Sequence, residues 1–350
     1  MPTNEVNYGE YLQLDKILNA QFPESTKHQS PAHDETLFII IHQAYELWFK
    51  QILHEVNSAC SIMQKASVND NSPELQTVVH RLSRVVTILK LLVQQIDIME
   101  TMTPMDFLDF RDMLRPASGF QSWQFKIIEA KLGLKFTHRH GQEHYTSQLK
   151  QDQIDSIKKI ELEKSFIELL NVWLERMPFF DQEENWKNFI RLFDLAMPAS
   201  LPVFWEEYKR IYIDGLADAE KSNQQNFDLI FGNNSGEPDR RLSPKACRSA
   251  LFIMLYRGYP ILQLPFQLLN NLLEIDEQLS TWRYRHINMV QRMIGTRIGT
   301  GGSSGKDYLR SALDKHYIFK EIAQLTSFLI ERKRLPVLSI EMEKQLGFVQ

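Results

Sequence analysis

Two cysteines in 350 residues, Cys60 and Cys247, are too few for a disulfide framework. They lie far apart in the chain and both fall in helical patterns, so they read as buried, reduced thiols of a cytosolic protein. No uncharged apolar run is long enough to span a bilayer. The opening residues, MPTNEVNYGEYLQLD, have no apolar core of the kind a signal peptide needs. Charge of one sign is missing as well. The 40 basic and 44 acidic side chains nearly balance, which removes the electrostatic case for nucleic acid or an anionic membrane surface as partner. Internal repeats, low-complexity segments and convincing strand pairs are all absent. What remains is 43% apolar, in a chain long enough for one large core or two smaller ones. The expected class is all-α: long antiparallel helices with shorter ones inserted between them.

The helix signals come in order. A short tyrosine-rich stretch, Tyr8-Gly9-Glu10-Tyr11, leads a brief helical pattern to about Ala20. A long helix is expected from about Asp34, its N-cap, to Gln64, with Phe38, His42, Tyr45, Phe49, Ile52 and Val56 along one face. Its opening run, Leu37 to Ile41, is apolar all round, which predicts deep burial of that end and of His42 with it. Ser72-Pro73 and Thr103-Pro104 each pair a hydroxyl cap with proline at the first helical position. The first opens a helix to about Met99; the second opens a short one carrying Phe107, Phe110, Arg111 and Leu114. Further helices are expected at about 122 to 131, 151 to 176, 183 to 196, 200 to 225 and 244 to 257. A long one after Pro260 reaches His286, and two more lie near 306 to 314 and 317 to 333.

The segment 282 to 305, WRYRHINMVQRMIGTRIGTGGSSG, holds the most chemistry. Helical spacing puts Trp282, His286, Met289, Val290 and Met293 on one face, so one histidine stands among large apolar groups. Gly295 ends the helix, and a glycine-serine run follows from Gly299 to Gly305. A histidine on an apolar stripe reads first as a satisfied core residue, and a glycine-serine run as a plain loop. Side by side they point to haem or another deeply held cofactor. A nucleotide phosphate loop is excluded, because Thr300, Ser304 and Asp307 occupy positions where the phosphate-binding patterns need other residues.

His138, His140 and His144 have a spacing that can bind metal, but they lack thiolate partners and lie in a charged connection. Arg111 is a guanidinium on an apolar stripe, and once buried it needs an anion. Three polar groups on apolar faces therefore stand out: His42, Arg111 and His286, each beside an aromatic ring, Phe38, Phe107 and Trp282 in turn. They describe a polar ligand site in a helical protein.

The stretches NYGEYLQLDKIL, LFIIIHQAYELWFKQILHE, FLDFRDMLRPASGFQS and RYRH…GTGGSSG, in this order from residue 7 to 305, resemble the tryptophan 2,3-dioxygenase family. The resemblance implies an enzyme that binds haem b between helices, with ferrous iron in its active form. The enzyme inserts O2 across the indole C2–C3 bond of L-tryptophan to give N-formyl-L-kynurenine, the first step of the kynurenine pathway. His286 matches the iron's axial ligand, with Trp282 beside the cofactor and Ser118 near its distal edge. Arg111 matches the clamp on the substrate carboxylate, and Thr300 the loop residue at its ammonium and carboxylate. Phe38 and Phe107 match the walls of the indole pocket. His42 matches the histidine facing the indole N–H, as a base or as an orienting hydrogen-bond acceptor. Tyr8 and Tyr11 match a segment, residues 1–32, that reaches a neighbour's pocket in a cytoplasmic homotetramer. Residues 33–350 then form a single all-helical domain. A helical haem sensor or carrier without catalysis is the competing class; it accounts for His286 but not for Arg111 and Thr300.

Overall fold

A computed structural model describes residues 5–139, 145–177, 201–232, 240–297, 299 and 315–347. The described residues are helical, with no strand among them. The helices are α1 (Tyr8–Leu12), α2 (Leu14–Leu18), α3 (Glu24–Lys27), α4 (Asp34–Met63), α5 (Pro73–Met99), α6 (Pro104–Arg111) and α7 (Trp123–Leu132). They continue with α8 (Gln151–Glu161), α9 (Phe166–Glu175), α10 (Val203–Asp214), α11 (Asn223–Phe231) and α12 (Pro244–Leu255). The last are α13 (Gln263–Ile294), α14 (Lys320–Gln324) and α15 (Ile340–Leu346).

Local chemistry explains the starts. Ser72 Oγ accepts from the Leu75 N–H, and Pro73 needs no donor at the first position of α5. Thr103 and Asp106 close a reciprocal capping box on α6. Asp34 is the first residue of α4 and not its cap; His33 occupies the cap without a side-chain bond.

The framework is α4, α5 and α13. Tyr45 Oη donates to the Leu92 carbonyl (2.8 Å), Gln95 to that of Ile41 (3.0 Å), and Arg84 pairs with Glu55 (2.7 Å), so α4 and α5 run antiparallel. Asn271 meets Val79 and Arg285 meets Asp97, so α13 runs parallel to α5 and not antiparallel to it. The chain between them crosses over through several short helices and returns α13 in the same direction.

Several sequence expectations are corrected. The helix expected at about 151 to 176 is two, α8 and α9, because a second capping box, Ser165 with Glu168, restarts it. The helix expected at about 200 to 225 breaks at Gly215, the C-cap of α10. The C-terminal helix is a series of short turns, with α15 beyond it. The start of α4 is not buried on all sides: Ile41 is 3% exposed but Ile40 is 48% exposed, so an apolar stripe faces off the chain. His42 also presents surface, and that surface opens on an internal cavity. The expected helices at 183 to 196 and 306 to 314 lie outside the described residues.

Two apolar clusters result. The larger fills the space between α4, α5, α9, α12 and α13. A smaller one gathers Ile41, Met99, Met102, Phe110 and Met293 at the other end of the framework. Cys60 and Cys247 are buried and unpaired, and burial pushes both thiols up to about 11.

Candidate active site

Where the smaller cluster meets the end of the larger one lies a cavity of about 750 Å³, within the range of small-ligand and cofactor sites. Its walls come from α4, α5, α6, α7, α13 and the connection after α6. Helical spacing delivers the expected face of α13: Trp282, His286, Met289, Val290 and Met293 all line it. From α4 come Phe38, His42 and Tyr45, from α6 Phe107 and Arg111, and Ser118 from the connection. Gly299 lines it too, while Thr300 lies outside the described residues.

The aromatic wall is ordered. Phe38 stacks on Phe107 at 5.6 Å, and Phe110 meets both rings edge-on. The imidazole of His42 sits 4.2 Å from the Phe38 ring centre. Its Nδ1 is 2.7 Å from the Phe38 carbonyl oxygen. A carbonyl can only accept, so Nδ1 donates and the neutral ring keeps its lone pair on Nε2. Desolvation lowers the pKa of His42, while the Phe38 carbonyl and Glu46 oppose the shift. The neutral form, an acceptor at Nε2, is the stable one.

Across the cavity, Trp282 lies parallel to His286, 3° between planes and 5.1 Å between centres. Burial, and secondarily the neighbouring His42, push His286 down to about 4. A neutral imidazole has the free lone pair that an iron ligand requires. Arg111 is 4% exposed and forms an ion pair with Asp112 Oδ1 at 3.7 Å.

One end of the cavity carries charge that sequence reasoning missed. Lys126, Glu129, Arg139, Arg283 and His316 line it. Glu129 accepts from Arg139 and from Arg283, each at 2.6 Å. Burial alone would raise its pKa, but the two guanidinia win and hold it at about 2. Burial, and Arg139 beside it, lower Lys126 to about 8. The signal was legible in part, as Lys126 and Glu129 are charges three apart, flanking the apolar pair Ile127 and Ile128.

Buried polar groups also line the cavity wall. The buried Ser122 Oγ has no hydrogen-bond partner, and the Trp282 indole N–H lies beside the Tyr45 hydroxyl. Lys126, 8% exposed, lies over the Tyr145 ring at 5.3 Å. Buried donors of this kind ask for an anionic or carbonyl ligand. A large planar apolar molecule bearing carboxylates meets that demand, and haem is such a molecule. Among the described residues no group of three or more His, Cys, Asp or Glu is assembled for a bare metal ion. Of the candidate histidine set, His140 and His144 lie outside the described residues. Tyr8 and Tyr11, 74% and 75% exposed, do not line the cavity of their own chain.

The family model for tryptophan 2,3-dioxygenase matches residues 2–329. The chain belongs to the tryptophan 2,3-dioxygenase family. It is 45% identical to the tryptophan 2,3-dioxygenase of Bdellovibrio bacteriovorus, over 98% of each chain. It is 43% identical to that of Alteromonas mediterranea over 97% of each chain. With that of Xenopus laevis it shares 43% identity, over 97% of this chain and 86% of the relative. Family membership thus spans the helices that build the cavity, and no described helix is long and apolar enough to cross a membrane.

Proposed function

We propose that the cavity holds haem b and L-tryptophan together, and that the chain inserts both atoms of dioxygen across the indole C2–C3 bond to give N-formyl-L-kynurenine. One observation carries this reading: His286 from α13, His42 from α4 and Arg111 from α6 converge on a single apolar cavity. The family to which the chain belongs supports the same reaction.

Bound haem, ferrous in the active form, supplies the dioxygen chemistry. The residues of the chain bind and orient. His286 would hold the iron, its ring plane set by Trp282. Ser122 Oγ, which has no partner, and Lys126 would receive haem carboxylates, and Ser118 lies in the same wall. Arg111 would clamp the amino-acid carboxylate through a charge-assisted pair. Thr300 would meet the ammonium and carboxylate, as the family resemblance implies. Phe38 and Phe107 would wall the indole, and His42 Nε2 would accept from its N–H. Holding the indole in place is most of what the protein must do.

Tyr8 and Tyr11 would complete a neighbour's pocket in a homotetramer. Their exposure, with that of Leu18 (68%) and Phe22 (69%), leaves an apolar N-terminal segment without a partner in its own chain. Residues 33–350 would then act as one domain, in the cytoplasm, where two free thiols persist. The test is to load the protein with haem and add L-tryptophan and dioxygen. N-formyl-L-kynurenine is the expected product. Haem uptake without product would indicate a sensor or carrier, and absence of haem uptake would overturn the reading.

A further inference from the structure

Tyr45 on α4 and Trp282 on α13 meet at the cavity that both line. Their rings stand edge to face, 6.1 Å between centres and 68° between planes, and the Trp282 indole N–H lies beside the Tyr45 hydroxyl. The same hydroxyl donates to the Leu92 carbonyl on α5 at 2.8 Å. Burial pushes the phenol up to about 12, so it keeps its proton and that bond. A hydroxyl carries one proton; with it committed to Leu92, only lone pairs are left for Trp282. An indole N–H can only donate. The two groups are therefore complementary, and a bond between them has one direction, from Trp282 to Tyr45.

Ring contacts alone leave the indole one freedom. Phe125 at 5.0 Å, Tyr45 and His286 hold it in a slot. Such contacts hold a flat ring without choosing which edge points to which wall. A rotation that turns the N–H toward an apolar wall would strand a buried donor, so an acceptor at one wall selects one edge. Phenylalanine at position 45 would fill the same space and offer no such selection. His286 lies one turn along α13, its ring within 3° of the Trp282 plane. What fixes the indole therefore fixes the imidazole plane, and groups around a metal ligand orient it in this way.

We propose that Tyr45 is a positioning residue for the iron ligand: its hydroxyl accepts the Trp282 N–H and locks the ring against which His286 stacks. The inference rests on the functional reading above, in which His286 holds haem iron. Three helices then share the task. The Leu92 carbonyl comes from α5, the hydroxyl that relays its hold from α4, and the ligand from α13. The bond touches neither dioxygen nor tryptophan. Its contribution falls on how firmly and at what angle the iron is held, with the KM for tryptophan little changed.

The test is a double-mutant cycle on the haem-loaded protein that reads the cofactor itself. Tyr45→Phe keeps the ring and removes the hydroxyl. Haem transfer to an excess of apo-globin is expected to quicken about two- to tenfold, the range for one lost hydrogen bond. The iron–histidine stretching band of the ferrous protein, read by resonance Raman, is expected to broaden and shift. Trp282→Phe, which removes the N–H, should also change the band. Adding Tyr45→Phe to it should then alter neither band nor transfer rate further. A hydroxyl that only clamps α4 to α5 through Leu92 gives another result: Tyr45→Phe would cost the same with and without the Trp282 N–H. That additive outcome would overturn the proposal, and so would an unchanged band in either single variant. A parent protein that shows no iron–histidine band, or keeps it in His286→Ala, would remove the functional reading itself, and this proposal with it; that control separates the two failures.

Discussion

Trp282 and His286 stand one turn apart on α13, and their rings lie parallel within 3°, 5.1 Å between centres. The indole N–H of Trp282 is buried beside the Tyr45 hydroxyl at the cavity wall. Tyr45 and Phe125 close on the other sides of the same indole, at 6.1 and 5.0 Å. The indole thus has two functions to lose: a face against the imidazole and a donor toward the cavity.

Those functions separate by substitution. Trp282→Phe keeps a ring and removes the donor; Trp282→Leu removes both. An aromatic pair is worth about 0.5–1.5 kcal/mol beyond its area, or about two- to tenfold in affinity. Haem transfer to an excess of an apo-globin is expected to quicken in the order parent, Phe, Leu. Equal transfer rates in all three would show that Trp282 does not support the cofactor.

Arg111→Ala is expected to raise the KM for tryptophan about ten- to a hundredfold, as for loss of a charge-assisted hydrogen bond of about 1.5–3 kcal/mol. Tryptamine, which lacks the carboxylate, should be a poor substrate of the parent and should lose little more in the variant. Steady-state kinetics with both amines provide the check. Equal discrimination against tryptamine by parent and variant would place the carboxylate elsewhere.

Acid stability should respond to Glu129. Its folded-state pKa of about 2 lies below the unfolded value of about 4.5. The stabilisation is therefore present above pH 4.5 and is lost as pH falls toward 2. Glu129→Gln leaves Arg139 and Arg283 buried without their shared anion. The expected loss at pH 7 is about 3–5 kcal/mol, the cost of breaking a buried pair. Urea unfolding across that pH range should show a shallower acid-side decline for the variant than for the parent. Matching slopes would mean that Glu129 is not the group whose protonation weakens the fold.

Much of this arrangement was legible in the sequence because it follows helical periodicity. The α13 face from Trp282 to Met293 and the α4 face from Phe38 to Val56 line the cavity or the core as their spacing required. Caps with a hydroxyl and a proline placed the starts of α5, α6 and α12. Long-range pairing was not legible. Nothing in WQFKIIEAKL tells that Glu129 will meet Arg139 and Arg283, since that depends on how α7 and α13 approach. Helix breaks that rely on a local capping box, as at Ser165, were hidden under a continuous apolar pattern. The apolar stripe through Ile40 looked like core because sequence does not separate a buried face from one left open to a partner.

Removal of residues 1–20 tests the exposed N-terminal stripe. The truncated chain should lose most activity even where it retains haem. Mixing it with a His286→Ala chain should restore part of the activity, as each protomer then supplies what the other lacks. A truncated protein with full activity and unchanged assembly would remove Tyr8 and Tyr11 from any pocket.

The central claim is that this cavity joins dioxygen to the indole of tryptophan. The most direct measurement is the mass of the product formed under ¹⁸O₂ by the haem-loaded protein, with the His286→Ala protein as control. The account predicts N-formyl-L-kynurenine carrying both labelled oxygen atoms, after correction for exchange of its carbonyl oxygens with water, and no product from the control. Product with a single labelled atom after that correction, or labelled product from the control, would contradict it.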